Sequence, residues 1–255
     1  SFTVHGPDEF DQPIVHNIAA KVSESRFAAA ISNFGKSQLM RWTDPRFWGQ
    51  IDVVRCGLDD TFLAERGEAQ KPSPSMQLCC VARLAPQKGL PVLVDAAERL
   101  KQEGVQFKVV VIGDGPLRGW LEQAIRERDL ATVIELRGWA SAADVRDALL
   151  ASRAMVLPSF AEGLPVVIME ALALEVPVIS TRIAGIGELV ESHLGLHLPW
   201  GSEAVTQPSH DRITRFAEIV PGPGRSALGQ VGPGRAACDR LGADAALYRH
   251  GRGLG

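Results

Sequence analysis

An α/β protein built on a parallel sheet with helices on both faces is the fold this chain predicts, on two observations. Short apolar runs alternate with amphipathic helical stretches in a regular series from residue 77 onward. The runs are continuous rather than alternating, as in Leu78-Cys79-Cys80-Val81 and Val109-Val110-Val111-Ile112, which suits strands covered on both sides.

The units are expected in this order. A strand ends at Phe2-Thr3-Val4-His5-Gly6, then a helix covers 14–24, a strand 27–31, a helix 34–42 and a strand 51–55. Residues 58–75 carry Asp59-Asp60 and Lys71-Pro72-Ser73-Pro74-Ser75, the polar, proline-rich composition of a linker. Strand–helix pairs follow at 77–82 with 89–102, 107–112 with 116–128, 133–136 with 141–150, 153–157 with 165–174, and 177–180 with 185–191. A first domain over 1–57 and a second over 76–200 are expected. Beyond Gly201 the periodicity dissolves: ten of the 25 glycines fall in the last 55 residues, with Pro221-Gly222-Pro223-Gly224, so 201–255 reads as an irregular tail, disordered or from a shifted reading frame.

Composition narrows the function classes. With 255 residues, 45% apolar and 22% charged, the chain has the make-up of a globular protein. A net charge of −3 and the lack of basic runs argue against nucleic-acid binding. Cys56, Cys79, Cys80 and Cys238 do not suggest a disulfide framework, since an adjacent pair on a strand faces opposite sides, and a reducing, cytoplasmic setting is expected. No apolar segment reaches 18 residues and the first residues do not read as a signal peptide.

Two segments carry chemistry. Glu162 and Glu170 frame Gly163-Leu164-Pro165-Val166-Val167-Ile168-Met169, where Pro165 suits the first turn of a helix. The N–H groups around Gly163 and Leu164 are then open to an anion such as a phosphate. Glu170, among apolar neighbours, needs a hydrogen-bonding partner, and its lean toward the helix start places it within range of a ribose hydroxyl. The plain alternative is a single charge reaching solvent. Upstream, Arg83 and Lys88 occupy the strand-to-helix loop Arg83-Leu84-Ala85-Pro86-Gln87-Lys88-Gly89, on the rim where parallel sheets bind ligands. An Arg fork and a Lys point charge neutralise a pyrophosphate, though two loop cations are also ordinary surface charge. Gly113-Asp114-Gly115 is no dinucleotide fingerprint: Arg118 stands where the third glycine is required.

Together these segments resemble the retaining glycosyltransferases of family 4, with the two-Rossmann-domain GT-B architecture. The residues that carry the resemblance are Val81-Ala82-Arg83-Leu84 with Gln87-Lys88-Gly89, Val111 to Leu117, Leu136-Arg137-Gly138-Trp139, Val156-Leu157-Pro158-Ser159, Glu162 to Glu170, Pro177 to Thr181 and Gly185 to Val190. It is specific over 78–199, fair over 1–62 and absent beyond about 205. It implies a Rossmann-like C-terminal domain that binds a nucleotide sugar, UDP- or GDP-linked, plus the remnant of an N-terminal acceptor-side domain. By this resemblance Arg83 and Lys88 hold the donor diphosphate, Glu170 the ribose, Glu162 with the Gly163 and Leu164 backbone the donor sugar and phosphates, and the Gly138 stretch the base. His5 faces the donor sugar; Glu162 and His5 are the catalytic candidates. The acceptor is expected to be a saccharide or lipid-linked, with peripheral membrane association, in bacterial surface polysaccharide or glycolipid synthesis. Retention of configuration is implied, and no residue is assigned as a covalent nucleophile. No Asp-x-Asp occurs, and no His and Cys set has ligand spacing, so no metal or cofactor is expected. The start at Ser1, inside what resembles the last third of the acceptor-side domain, reads as a fragment. A nucleotide-sugar epimerase on the same architecture and an inactive nucleotide-binding piece remain as alternatives.

Overall fold

The computed structural model describes residues 1–63 and 75–190, together with the backbone of a strand over 195–198. Most of the expected linker (64–74) and the tail (201–255) lie outside the described residues. The first part contains β1 (Phe2–Val4), α1 (Pro7–Asp11), α2 (Ile18–Glu24), β2 (Ala28–Ala30), α3 (Asn33–Arg41), a 3-10 turn (Pro45–Gln50), β3 (Ile51–Val53) and α4 (Asp60–Leu63). Then come β4 (Gln77–Val81), a 3-10 turn (Pro86–Lys88), α5 (Leu90–Gln102), β5 (Lys108–Ile112), α6 (Arg118–Glu127), β6 (Ile134–Gly138), α7 (Ala142–Leu150), β7 (Ala154–Leu157), α8 (Val166–Ala173), β8 (Val178–Thr181), α9 (Ile186–Leu189) and β9 (Gly195–Leu198).

Two parallel sheets result, of order β1-β2-β3 and β6-β5-β4-β7-β8-β9. In the larger one the chain moves outward from β4 to β6, then returns to β7 beside β4 and runs out the other way. That reversal leaves a crevice between the carboxyl ends of β4 and β7, the place where open α/β sheets take their ligands. Cys79 and Cys80 mark the two faces. Cys80 packs into the core formed with α5 and α6, through Leu90, Leu93, Leu100 and Leu121, whereas Cys79 joins that of α7, α8 and α9, through Leu149, Ile168 and Ile186. Burial pushes both thiols up to about 12, so they are packing groups.

The expected elements are found with local corrections. The helix expected over 14–24 begins only at Ile18, because Asn17 is left-handed at φ 50° and the stretch from Pro13 turns instead. α1 and the 3-10 turn at Pro45–Gln50 were not expected; both are short and bury no side chain fully, packing only Phe10 and Phe47 against the core of the small sheet. The start of the expected linker is packed rather than polar throughout: Phe62 on α4 is 4% exposed and belongs to the same core as Ile168 and Leu149. Ile31, just after β2, enters that core too, so the small sheet is anchored in the large one. Among the described residues no helix is long and apolar enough to cross a membrane.

Candidate functional site

Backbone approaches too close for a side chain build the crevice. After β4 the chain passes Arg83 and turns at Gly89, φ 65°, where a Cβ would lie 1.9 Å from the Pro158 carbonyl oxygen beyond β7. The Phe160 N–H donates to the Gln87 carbonyl at 2.7 Å, tying the two loops again. Gly113 has a similar supporting duty: it would place a Cβ 2.0 Å from the Ala82 carbonyl, and the Leu84 N–H donates to the Asp114 carbonyl at 2.9 Å. The Gly-Asp-Gly turn therefore braces the Arg83 loop.

Loop contact brings Lys88 to Glu162. Nζ lies 2.6 Å from Oε1, and the Ser159 hydroxyl donates to the same oxygen at 2.6 Å. Glu162 is 6% exposed, and a carboxylate this deep needs such partners. Ser159 is itself fixed, its carbonyl accepting from the Thr181 hydroxyl at 2.6 Å. One oxygen of Glu162 thus orients the ammonium, whose remaining protons are available to a ligand.

The turn after Glu162 faces the small sheet. A Cβ on Gly163 would stand 1.9 Å from the His5 carbonyl oxygen and 3.2 Å from the Gly6 Cα, so the absence of a side chain lets the end of β1 settle on this turn. The His5 ring is exposed, with Nδ1 3.9 Å from Cys56 Sγ. Pro165 is the extended N-cap of α8, at φ −69° and ψ 114°, and not a member of its first turn as expected. The consequence for anion binding survives. Among the described residues no acceptor meets the N–H groups of Gly163, Leu164, Val166 or Val167, while Ile168 donates to the Pro165 carbonyl at 3.1 Å.

Arg83 is exposed at the β4 end, with no side-chain partner among the described residues. Glu170 is half-buried one turn into α8; it too lacks the partner the sequence led one to expect, and burial, reinforced by the Asp59 carboxylate, pushes its carboxyl above the usual range. Gly138 ends β6, two strands from β4, in the left-handed region at φ 76°; its carbonyl accepts from the Gly113 N–H at 2.7 Å. Lys88, Glu162, Gly163, Leu164 and the His5 backbone therefore form one contiguous cluster, with Arg83 on the adjoining loop. Among the described residues no hydrogen bond or ion pair joins Glu170 or Gly138 to that cluster.

Residues 62–207 match the family model described as Glycosyl transferases group 1. The chain belongs to this family. Among the relatives of this chain are WcaL of Escherichia coli K12, described as a colanic acid biosynthesis glycosyltransferase, and the amylovoran biosynthesis glycosyltransferase AmsK of Erwinia amylovora. WcaL is 35% identical over 168 residues, covering 64% of this chain and 41% of WcaL. AmsK is 35% identical over 182 residues, covering 68% of this chain and 44% of AmsK, so the match spans less than half of either relative. The fold is that of GT-B glycosyltransferase structures. Anabaena HepE, crystallised with UDP and glucose, superposes with a TM-score of 0.75 at 18% identity, over 99% of this chain and 71% of HepE. A TarM variant of S. aureus, crystallised with Fondaparinux, alpha-GlcNAc-glycerol and UDP, gives 0.75 at 13% identity over 98% and 50%.

Three residues that shape this site or its supports were not singled out from the sequence. Ser159 had a signal in its Ser-x-x-Glu spacing to Glu162, which here joins side chain to side chain. Asp59 lay in the polar stretch read as linker. Glu188 lay inside the Gly185 to Val190 segment that carries the resemblance, but its bonds across to α3 could not be read there, because its partners lie far off in sequence.

Proposed function

We propose that this chain is the donor-binding part of a retaining, metal-independent glycosyltransferase. It moves a sugar from a UDP- or GDP-linked donor to a saccharide or lipid-linked acceptor in bacterial surface polysaccharide or glycolipid assembly. One observation carries the reading: the Arg83–Lys88 loop, the Glu162–Gly163 turn and the His5 end of β1 converge on the crevice between β4 and β7. The UDP in the HepE and TarM crystals and the polysaccharide named for AmsK support it in kind.

In this proposal the diphosphate lies against the open N–H groups at the start of α8, with Arg83 opposing its charge and Lys88 held toward it by Glu162. As the sugar–phosphate bond breaks, negative charge grows on the departing diphosphate, and fixed donors aimed there lower the barrier. Glu170, half-buried without a protein partner, accepts from the ribose hydroxyls. The Gly138 backbone borders the base. The acceptor hydroxyl attacks from the face that the diphosphate leaves, giving retention, and the exposed His5 ring stands on the sugar side. No Asp-x-Asp supplies a metal-holding pair, and among the described residues no three metal-ligating side chains gather.

The test is turnover of a panel of UDP- and GDP-sugars by the full chain in chelator, with product anomers read by NMR. Transfer or hydrolysis with retention is expected from one nucleotide series. Inversion, or strict dependence on an added divalent ion, would overturn the mechanism. Nucleotide release at full rate, independent of any acceptor and with an epimerised sugar, would favour the epimerase reading.

A further inference from the structure

The seam between the sheets is organised around Glu188. Its Oε2 accepts from the Asn33 N–H, the Asn33 Nδ2 and the Arg55 Nη2, each at 3.0 Å, and its Oε1 accepts from the Phe34 N–H at 2.8 Å. Every group on this list comes from the part of the chain that carries the small sheet, whereas Glu188 sits on α9, beside the large one. The first turn of α3 is thereby completely accounted for. Asn33 and Phe34 donate to Glu188, Gly35 donates to the Ser32 hydroxyl at 3.0 Å, and Lys36 to the Ser32 carbonyl at 2.9 Å. A carboxylate at a helix N-terminus also meets the positive end of the helix dipole.

The same corner touches the donor turn. Gly185, which precedes α9, donates its N–H to the Gly163 carbonyl at 2.9 Å, and the Glu188 N–H donates to the Gly185 carbonyl at 3.1 Å. A Cβ on Gly185 would stand 2.5 Å from the Gly163 oxygen and 3.1 Å from the Ser32 Cβ. Glu188, Gly185 and Gly163 thus form a short rigid line from the start of α3 to the turn on which His5 rests. β2, which precedes α3, pairs with β1, and His5 follows β1 directly.

Resting on the proposed function, we propose that Glu188 is a positioning residue: it fixes the β1-β2-α3 unit so that His5 stays over the Gly163 turn of the donor site. It touches neither donor nor acceptor. Its removal therefore acts on the sugar-transfer step and spares the nucleotide, which binds to groups of the large sheet.

The experiment compares the full wild-type chain with Glu188→Ala and Glu188→Gln. Amide hydrogen exchange at Asn33 and Phe34 should quicken by about tenfold or more in Glu188→Ala, while Gly35 and Lys36 hold near wild type. Affinity for UDP and GDP should change by less than about threefold, whereas turnover at saturating donor should fall by about tenfold or more with KM nearly unmoved. Glu188→Gln, which keeps the acceptor oxygen and the shape, should fall between, and it serves if the alanine variant fails to fold. Unaltered exchange at Asn33 and Phe34, unaltered turnover, or nucleotide affinity falling in step with turnover would each overturn the role. A wild-type chain that bound neither UDP nor GDP would sink the functional reading itself, while the exchange data would still show whether Glu188 holds the seam.

Discussion

At the seam between the sheets each named polar group is matched, while at the crevice rim several are left open. Glu188 and Glu170 show the difference within one chain. Burial alone would push the Glu188 carboxyl up, but the donors of Asn33, Phe34 and Arg55 outweigh it and hold the group below its usual value. Glu170 is also penalised by burial but has no donors, and with the Asp59 carboxylate adding to the effect its carboxyl is pushed up. A folded protein leaves a half-buried carboxylate and four helix-end N–H groups unmatched at a cost, and the rim is where a ligand makes that cost good. The seam, already satisfied, acts as scaffold.

Removing Lys88 should have the largest effect, because its pairing with Glu162 belongs to the scaffold as much as to the rim. Lys88→Ala strands a carboxylate that is 6% exposed, with only Ser159 remaining, and should cost about 3 kcal/mol in urea unfolding. Loss of this side chain therefore reaches the fold as well as the ligand, because the pair it breaks is buried. Adding Glu162→Gln to Lys88→Ala should recover most of the loss, and failure to recover would mean that the pair is not what holds the loops together.

Next comes Gly163→Ala, whose Cβ would meet the His5 carbonyl at 1.9 Å. A backbone oxygen on another sheet has little freedom to yield, and a loss of about 2 kcal/mol is expected, read as a drop in Tm. An unchanged Tm would show that the seam gives way more easily than the contacts imply. Smaller still is the response of the two carboxyls to pH. Glu188 has a depressed folded value, so the stability it contributes is complete above its usual value of 4.5 and drains away as pH falls through the folded value. Glu170 has a raised one, so its stability deficit is present at neutral pH and disappears as pH falls. Glu170→Gln should accordingly raise Tm slightly at neutral pH without ligand, while weakening UDP or GDP more than inorganic pyrophosphate. A lowered Tm, or equal weakening of pyrophosphate, would contradict the contrast between rim and seam.

Much of the large sheet was legible because its strands are short apolar runs ended by turn residues. Lys108 to Ile112 and Ala154 to Leu157 could be placed within a residue or two. The opposite sides of Cys79 and Cys80 followed from the period of a strand. Less legible was the region before residue 60, where α1 packs a single apolar side chain, Phe10, and so leaves no apolar period to read. At the site, residue types and order pointed to the two loops, but not to the Lys88–Glu162 pairing, which spans 74 positions. Glu188 reaches across 155 positions to Asn33, a distance at which local pattern is silent. Positive φ at Gly89 could be guessed from a glycine before a helix, yet the close approach of Pro158 depends on two loops meeting.

Arg83 offers the most direct measurement, because it stands exposed at the crevice with no partner among the described residues and its loss should leave the scaffold untouched. Calorimetric titration of UDP and GDP into wild type and Arg83→Ala should show one nucleotide binding the wild-type chain and weakening by about tenfold or more in the variant, at an unchanged Tm. Equal affinities in the two proteins, or no binding of either nucleotide to the wild type, would contradict a diphosphate site between β4 and β7.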